Sequence, residues 1–294
     1  MGTPTPVFKI NRNMVLKIKK GTKQIDPHQY EGRLDIEELI IADTVEVIGN
    51  GAFQGCINLK KITWGANVHS IGNYAFLHCR SLKTLYLPNS IKCIGHVAIG
   101  YCTGLYYVEF EDDNEVEIWT SVFVFCTGLV CIILPNRYKR IHEFSFCGCS
   151  KLEDVFIPGS VTGIGYGAFQ GVAAEEIELP DSIETIDRCA FSNSKLTRIV
   201  IPDSVLAIGE SAFELCDDLR SVEISKSVVC IRKKAFENCS VLSEVTFKST
   251  IIGSIGTSVF KGCKNLNRIN VPVSAMDTYK RLLPKYLHRK LVGF

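Results

Sequence analysis

Leu196-Thr197-Arg198-Ile199-Val200-Ile201-Pro202-Asp203-Ser204-Val205-Leu206-Ala207-Ile208-Gly209-Glu210-Ser211-Ala212-Phe213-Glu214-Leu215-Cys216 packs two short apolar segments and two turns into 21 residues. Ile199 and Ile201 share one face of an extended chain and Val200 takes the other, which predicts a short strand. Pro202 has no amide hydrogen for a ladder and stops the strand, and Asp203-Ser204 turns the chain. Val205 and Ile208 mark a second extended piece, and Gly209 opens the turn that carries Ala212-Phe213 towards an interior.

The same phrase runs through the chain. Ala212-Phe213 has counterparts at Ala52-Phe53, Ala75-Phe76, Ala98-Ile99, Val122-Phe123, Ser145-Phe146, Ala168-Phe169, Ala190-Phe191, Ala235-Phe236 and Val259-Phe260. In chain order the second members are spaced by 23, 23, 24, 23, 23, 22, 22, 23 and 24 residues. Five residues before each stands an isoleucine: Ile48, Ile71, Ile94, Ile118, Ile141, Ile164, Ile186, Ile208, Ile231 and Ile255. Three residues after it stands a cysteine in eight of the ten units: Cys56, Cys79, Cys102, Cys126, Cys149, Cys216, Cys239 and Cys263. Val172 and Ser194 fill the exceptions, and both of those units are one residue short before the next strand.

A unit of this size cannot bury its own apolar side, but stacked units can, because each inward position meets its equivalent above and below. The expected fold class is therefore a β-rich solenoid of about ten 22–24-residue units, with a parallel sheet on the inner face and short second strands and turns outside. The organisation read from the pattern is a cap segment over 1–38, the solenoid over 39–273 and a helical cap over 274–294. The N-terminal cap is expected to hold a hairpin around Val15-Leu16-Lys17-Ile18-Lys19-Lys20-Gly21-Thr22. At the other end Ser274 is placed as a helix N-cap, with Met276, Tyr279, Leu282 and Leu283 on one helix face. Capping is expected because an open solenoid end is a sheet-like edge.

The pattern Leu-x-x-Ile-x-Ile-Pro-x-Ser-Val-x-x-Ile-Gly-x-x-Ala-Phe-x-x-Cys resembles the BspA-like leucine-rich repeat family, over roughly residues 39–272. Val271-Pro272-Val273-Ser274-Ala275 through Tyr279-Lys280 resembles a closing segment of its bacterial members. The resemblance implies a right-handed, leucine-rich-repeat-like solenoid, in keeping with the hand of parallel crossovers. It also implies a non-enzymatic protein-binding role at a cell surface or in secreted form, adhesin-like, with a host or neighbouring-cell protein as partner. The resemblance fixes a scaffold rather than a ligand.

Composition narrows the function classes. Among 294 residues, Lys and Arg total 33 against 31 Asp and Glu, and a net charge of +2 predicts no general affinity for nucleic acid or anionic membrane. The most apolar window, Phe123 to Leu134, is broken by Thr127 and Gly128 and falls short of the roughly 20 residues that span a bilayer, so no membrane insertion is expected. Met1-Gly2-Thr3-Pro4-Thr5-Pro6 has no basic-then-apolar leader pattern; a cytosolic chain, or one that follows a removed signal, fits it. An intracellular scaffold with reduced thiols is thus the alternative to the surface protein.

Thirteen cysteines cannot all pair within one chain. Eight share one repeat position beside the buried pair, which reads as a structural ladder of free thiols, small apolar groups with a weak donor. Cys93, Cys147, Cys189 and Cys230 lie off the ladder and are expected to be packing residues, and Cys131 falls on a strand's outward side. No two of His28, His69, His78, His96, His142 and His288 make a ligand pair, and Cys147-Gly148-Cys149 has no second pair at metal spacing. Gly163-Ile164-Gly165-Tyr166-Gly167 is the ordinary repeat turn with no fingerprint beyond it. The acidic run Glu109, Glu111, Asp112, Asp113, Glu115 and Glu117 lacks EF-hand spacing and reads as a solvated loop, with a calcium site as the other reading. No cofactor, metal or catalytic residue is expected.

One surface is readable from phase alone. The outward strand-centre positions are Ile40, Thr63, Tyr86, Glu109, Ile133, Phe156, Glu178, Val200, Glu223, Thr246 and Asn270. Two residues earlier stand Glu38, Lys61, Thr84, Tyr107, Cys131, Asp154, Glu176, Arg198, Ser221, Glu244 and Arg268. Apolar side chains held outward in mid-array suit the centre of a protein contact, so Tyr86, Tyr107, Ile133, Phe156 and Val200 are the expected binding surface. The other reading is that these side chains, or a terminus, cover one another.

Overall fold

A computed structural model of the protein describes residues 14–111 and 116–294. Asp112, Asp113 and Glu115 of the acidic run lie outside the described residues. The chain winds as a parallel-sheet β-solenoid of about twelve turns. Its longer strands fall into three groups. Met14–Lys17, Ile36–Ile40 and Lys61–Thr63 form the first, and Thr84–Leu87, Tyr107–Phe110, Cys131–Ile133 and Asp154–Phe156 the second. Arg198–Ile201, Ser221–Ile224, Glu244–Phe247, Arg268–Val271 and Leu291–Gly293 form the third. Two-residue strands make a separate set, running from Gln24–Ile25 to Glu117–Ile118 and from Arg140–Ile141 to Ser254–Ile255.

Register keeps like on like. Leu85 pairs with Val108, Val108 with Ile132 and Ile132 with Val155, while Ile25, Ile48, Ile71, Ile94 and Ile118 form one unbroken ladder. A one-residue slip would turn every one of these side chains out of the core, so burial locks the register. The aromatic residues of the Ala-Phe turns stack face to face down the axis, with ring centroids 5.2–5.8 Å apart from Phe123 through Phe260. Ile99, fully buried, interrupts the column between Phe76 and Phe123.

The N-terminal segment corrects the sequence reading. No hairpin forms around Val15–Thr22: Met14–Lys17 pairs in parallel with Ile36–Ile40, and Gln24–Ile25 with Val47–Ile48. The segment is a further coil, with Tyr30 stacked on Phe53 at 5.3 Å. Tyr30 lies one repeat before Phe53 and five residues after Ile25, but Gln29 replaces the alanine and Arg33 the cysteine, which hides the phrase. A parallel coil wins because it sets Ile25 on Ile48, where an antiparallel hairpin would leave that ladder edge bare.

The C-terminal cap is helical only in part. A 3₁₀ turn over Val273–Ala275 leads into the helix Met276–Leu282, a second 3₁₀ segment covers Lys285–Lys290, and Leu291–Gly293 returns to pair in parallel with Arg268–Val271. Pro284 ends the helix by holding Leu283 extended (φ −92°, ψ 145°). Ser274 makes no capping bond; Ala275 holds the N-cap position of the helix. Ala275, Tyr279, Leu283 and Leu287 are buried, a spacing of four residues that lays one side of the segment on the last coils.

Each ladder cysteine has a job beyond filling space. Its Sγ donates to the carbonyl one coil back: Cys79 to Phe53 at 3.4 Å, Cys102 to Phe76 at 3.2 Å, and Cys149, Cys239 and Cys263 to Phe123, Phe213 and Phe236 at 3.1 Å. Burial pushes the Cys56 and Cys216 thiols up to about 11, so they stay protonated and unreactive near neutrality. All thirteen cysteines are free; the eight ladder thiols are buried, whereas Cys93, Cys131, Cys147, Cys189 and Cys230 are half-buried. Labelling with a maleimide should therefore modify at most those five in the folded protein and the remaining eight only after unfolding. Rapid native modification of the ladder thiols would contradict the packing.

The turns are the strained part of the coil. Two residues per coil have left-handed backbone, one just before the Ala-Phe pair and one just before the ladder position. Gly55, Gly148, Gly171 and Gly262 meet the second demand cheaply, yet His78, Tyr101, Phe125 and Leu215 occupy it too. The aromatic side chains use the missing Cβ of their neighbours: the Phe125 ring lies over Gly148, where a Cβ would come within 2.5 Å of it.

Candidate binding surface

Strand alternation sets the side chains of the candidate surface. Leu85 and Leu87 are buried, and Tyr86 between them is 58 % exposed. Ile132 and Leu134 bracket the exposed Ile133 in the same way, and Ile199 and Ile201 bracket the exposed Val200. Phe156 is 66 % exposed beside the buried Ile157. Tyr107 is half-buried, its ring 5.8 Å from Tyr86 and its hydroxyl donating to Glu109 Oε2 at 2.8 Å. That bond to a carboxylate holds the Tyr107 hydroxyl proton, raising its pKa to about 12.

The five residues share a face without forming one patch. Tyr86 and Tyr107 make one cluster, beside a cavity of about 350 Å³ walled by Trp64, Tyr86, Pro88 and Glu111. Ile133 and Phe156, register partners on adjacent strands, make a second, over a cavity of about 510 Å³ that Asp154, Glu178, Leu179 and Pro180 complete. Glu109 stands between the clusters, paired in register with both Tyr86 and Ile133. Val200 is separated from Phe156 by a whole coil and lies in a different sheet. That intervening coil, Glu176–Leu179, forms no strand, and its peptide groups make no backbone hydrogen bond to either neighbour. The break coincides with the shortened turn after Val172, where Ala174 takes the place held by Leu152 and Leu196 in the adjoining coils.

The turns present aromatic residues that the strand-face reading left out. His78, Tyr101 and Phe125 form a ridge over three coils, with centroids 4.9 and 5.1 Å apart, and Phe144 packs on Tyr166 at 4.6 Å. Arg188 lies 5.8 Å over the Tyr166 ring. For His78, Tyr101 and Phe125 the signal in the sequence is an aromatic residue just before the ladder cysteine, where glycine, asparagine or Leu215 stands elsewhere. Among the described residues no group of His, Cys, Asp and Glu is placed to hold a metal ion. Glu109 and Glu111 of the acidic run are instead engaged by Tyr107 and by the Asn89 amide. No helix is long and apolar enough to cross a membrane, again among the described residues.

Comparison with known proteins agrees with this architecture. A profile of the BspA type leucine rich repeat region matches in six copies, over residues 23–127, 116–195 and 164–282. Curated proteins give no match. Among solved structures, the pneumococcal vaccine antigen PcpA is 21% identical, with a TM-score of 0.62 over 95% of this chain and 79% of that one. A leucine rich cell surface protein from Faecalibacterium prausnitzii is 22% identical, with a TM-score of 0.51 over 96% and 87%. A leucine-rich repeat protein from Bacteroides ovatus is 25% identical, with a TM-score of 0.49 over 96% and 92%. At these identities the structures show the fold alone. With the profile spanning nearly the whole described solenoid, the chain belongs to the BspA-type leucine-rich repeat family.

Proposed function

We propose that this protein is a non-enzymatic protein-binding module, a cell-surface or secreted adhesin-like repeat protein that engages its partner through the outward strand face. The observation that carries the reading is Phe156, a large apolar side chain held in solvent on a rigid strand beside Ile133 and above a cavity. Such a residue has no part in the solenoid's own core, and aromatic anchors next to a depression are what a partner's side chains fill. Tyr86 and Tyr107 supply a second anchor of the same kind. The surface or secreted setting rests on the family, whose structural neighbours include a protein described as a cell surface protein.

A second reading, an intracellular interaction scaffold, draws on the thiols. Thirteen unpaired cysteines accord with a reducing compartment better than with an oxidising one.

Replacing Phe156 with Ser should leave the melting temperature nearly unchanged and weaken partner binding by about 1–3 kcal/mol, the effect of a hot-spot residue. The check is a comparative pull-down with the intact protein, a Tyr86→Ser/Tyr107→Ser/Phe156→Ser variant and a Phe125→Ser control on the turn ridge. Partners captured by the first and third and lost by the second support the strand face. Loss with the ridge variant alone would move the site to the turns.

A further inference from the structure

Over the five coils from Thr84 to Glu178, the outward strand positions carry four carboxylates, Glu109, Asp154, Glu176 and Glu178, and neither a lysine nor an arginine. The chain as a whole is slightly basic, so this acidity is local. The nearest cations on these rows are Lys61, one coil before Thr84, and Arg198, beyond the break in the sheet. Elsewhere on these rows some acids are neutralised: Glu223 is paired with Lys248 and Glu244 with Arg268. Among the described residues Asp154, Glu176 and Glu178 meet no ion-pair partner.

These three unpaired carboxylates surround the apolar anchor. Asp154, Glu176 and Glu178 wall the cavity of about 510 Å³ beside Phe156 and Ile133, which no lysine or arginine lines, and Glu176 and Glu178 also border a second cavity of about 370 Å³ on the other side of their coil, together with Arg198. Between the cavities runs the unpaired backbone of Glu176–Leu179, whose amide and carbonyl groups are not used by either adjoining strand. Free peptide groups, an exposed aromatic side chain and three carboxylates without an ion pair around the first cavity are complementary to one class of occupant.

We propose that this face binds an extended, cationic segment of a partner protein, with lysine or arginine side chains on either side of an apolar one. The apolar side chain enters beside Phe156 and Ile133, the cations meet Asp154, Glu176 and Glu178, and the segment's backbone completes hydrogen bonds with Glu176–Leu179. The inference rests on the reading of the strand face as the contact surface and adds the chemistry of what it contacts. Nucleic acids and anionic lipid surfaces carry the wrong sign for this site.

Three labelled hexapeptides test it by fluorescence anisotropy against the full chain: alternating Lys and Leu, alternating Glu and Leu, and alternating Lys and Ser. The Lys/Leu peptide should bind, and the other two should bind at least about tenfold more weakly. Its affinity should fall by about tenfold or more in an Asp154→Asn/Glu176→Gln/Glu178→Gln variant and in Phe156→Ser, both with unchanged melting. Raising the salt from about 50 to about 500 mM should weaken the wild type far more than the triple variant. Equal binding of the Glu/Leu or Lys/Ser peptide, no binding of Lys/Leu, or indifference to the triple variant overturns the proposal. A partner protein still captured by the triple variant and lost with Phe156→Ser would leave the strand face standing and remove the cationic segment. Capture unaffected by both would remove both.

Discussion

Phe169→Ala is expected to destabilise the protein by about 3–5 kcal/mol, the range for truncating a fully buried phenylalanine. Phe169 is completely buried, with Phe146 and Phe191 each 5.4 Å away, so the substitution empties one layer of a continuous aromatic column. Neighbouring coils cannot close the gap, because the short-strand ladder through Gly163–Ile164 and the turn bonds Phe146 N to Ala168 O and Phe169 N to Ala190 O set the rise per coil. Position in the array adds to the effect: a defect in mid-solenoid weakens the interfaces above and below it together. Denaturant unfolding monitored by circular dichroism measures the loss. A change below about 1 kcal/mol would mean the column contributes little.

Tyr279→Ala should remove a comparable amount of local stability, about 3–5 kcal/mol, but spend it differently. Tyr279 is fully buried, packs against Phe247 at 4.9 Å and donates its hydroxyl to Ser249 O at 2.9 Å. It ties the helix Met276–Leu282 to the last coils at the end of the array, where only one neighbour exists. In a quasi-one-dimensional stack such damage frays the end before it unfolds the middle. Hydrogen exchange should show lost protection in Arg268–Val271 and Leu291–Gly293, with the amides around Phe169 still protected below the main transition. Uniform loss of protection along the chain would mean that the solenoid unfolds as a single unit and that nearest-neighbour reasoning fails here.

Exposed apolar surface at that frayed end would also promote association, since the strand Leu291–Gly293 lies at the edge of its sheet. The cap and the aromatic column thus protect different things. One guards the end of the sheet, the other the continuity of the core.

How much of this could be read in advance follows from the kind of information each feature carries. The Ile ladder, the aromatic column and the cysteine position repeat at fixed phase, and a residue that must stack on its own equivalent announces itself by recurrence. The first coil escaped because three markers changed together: Gln29, Tyr30 and Arg33 stand where Ala, Phe and Cys stand elsewhere. Physically Tyr30 serves as well as Phe, since only its ring enters the column, so the fold tolerates a substitution that breaks the written pattern. The extent of the terminal helix was likewise hidden by its apolar spacing, and Pro284 decided it.

For the surface, alternation along each strand was enough to place Tyr86, Ile133, Phe156 and Val200 opposite their buried neighbours, because successive side chains of an extended chain must leave by opposite sides. Alternation says nothing of what lies beside a residue on the next coil. Only the tertiary structure sets Ile133 against Phe156, inserts Glu109 between the two aromatic clusters, and opens the sheet at Glu176–Leu179 so that Val200 falls away. It alone lines up His78, Tyr101 and Phe125 on the turns and brings Asp154, Glu176 and Glu178 together around one cavity that no lysine or arginine lines. Sequence by itself determined which way each strand residue faces, through the period of two and the repeat of about 23 residues. The lateral neighbourhood, and with it the shape and charge of the candidate site, was decided by coil-to-coil register and by turn length, which act between residues some 22–27 positions apart in the chain.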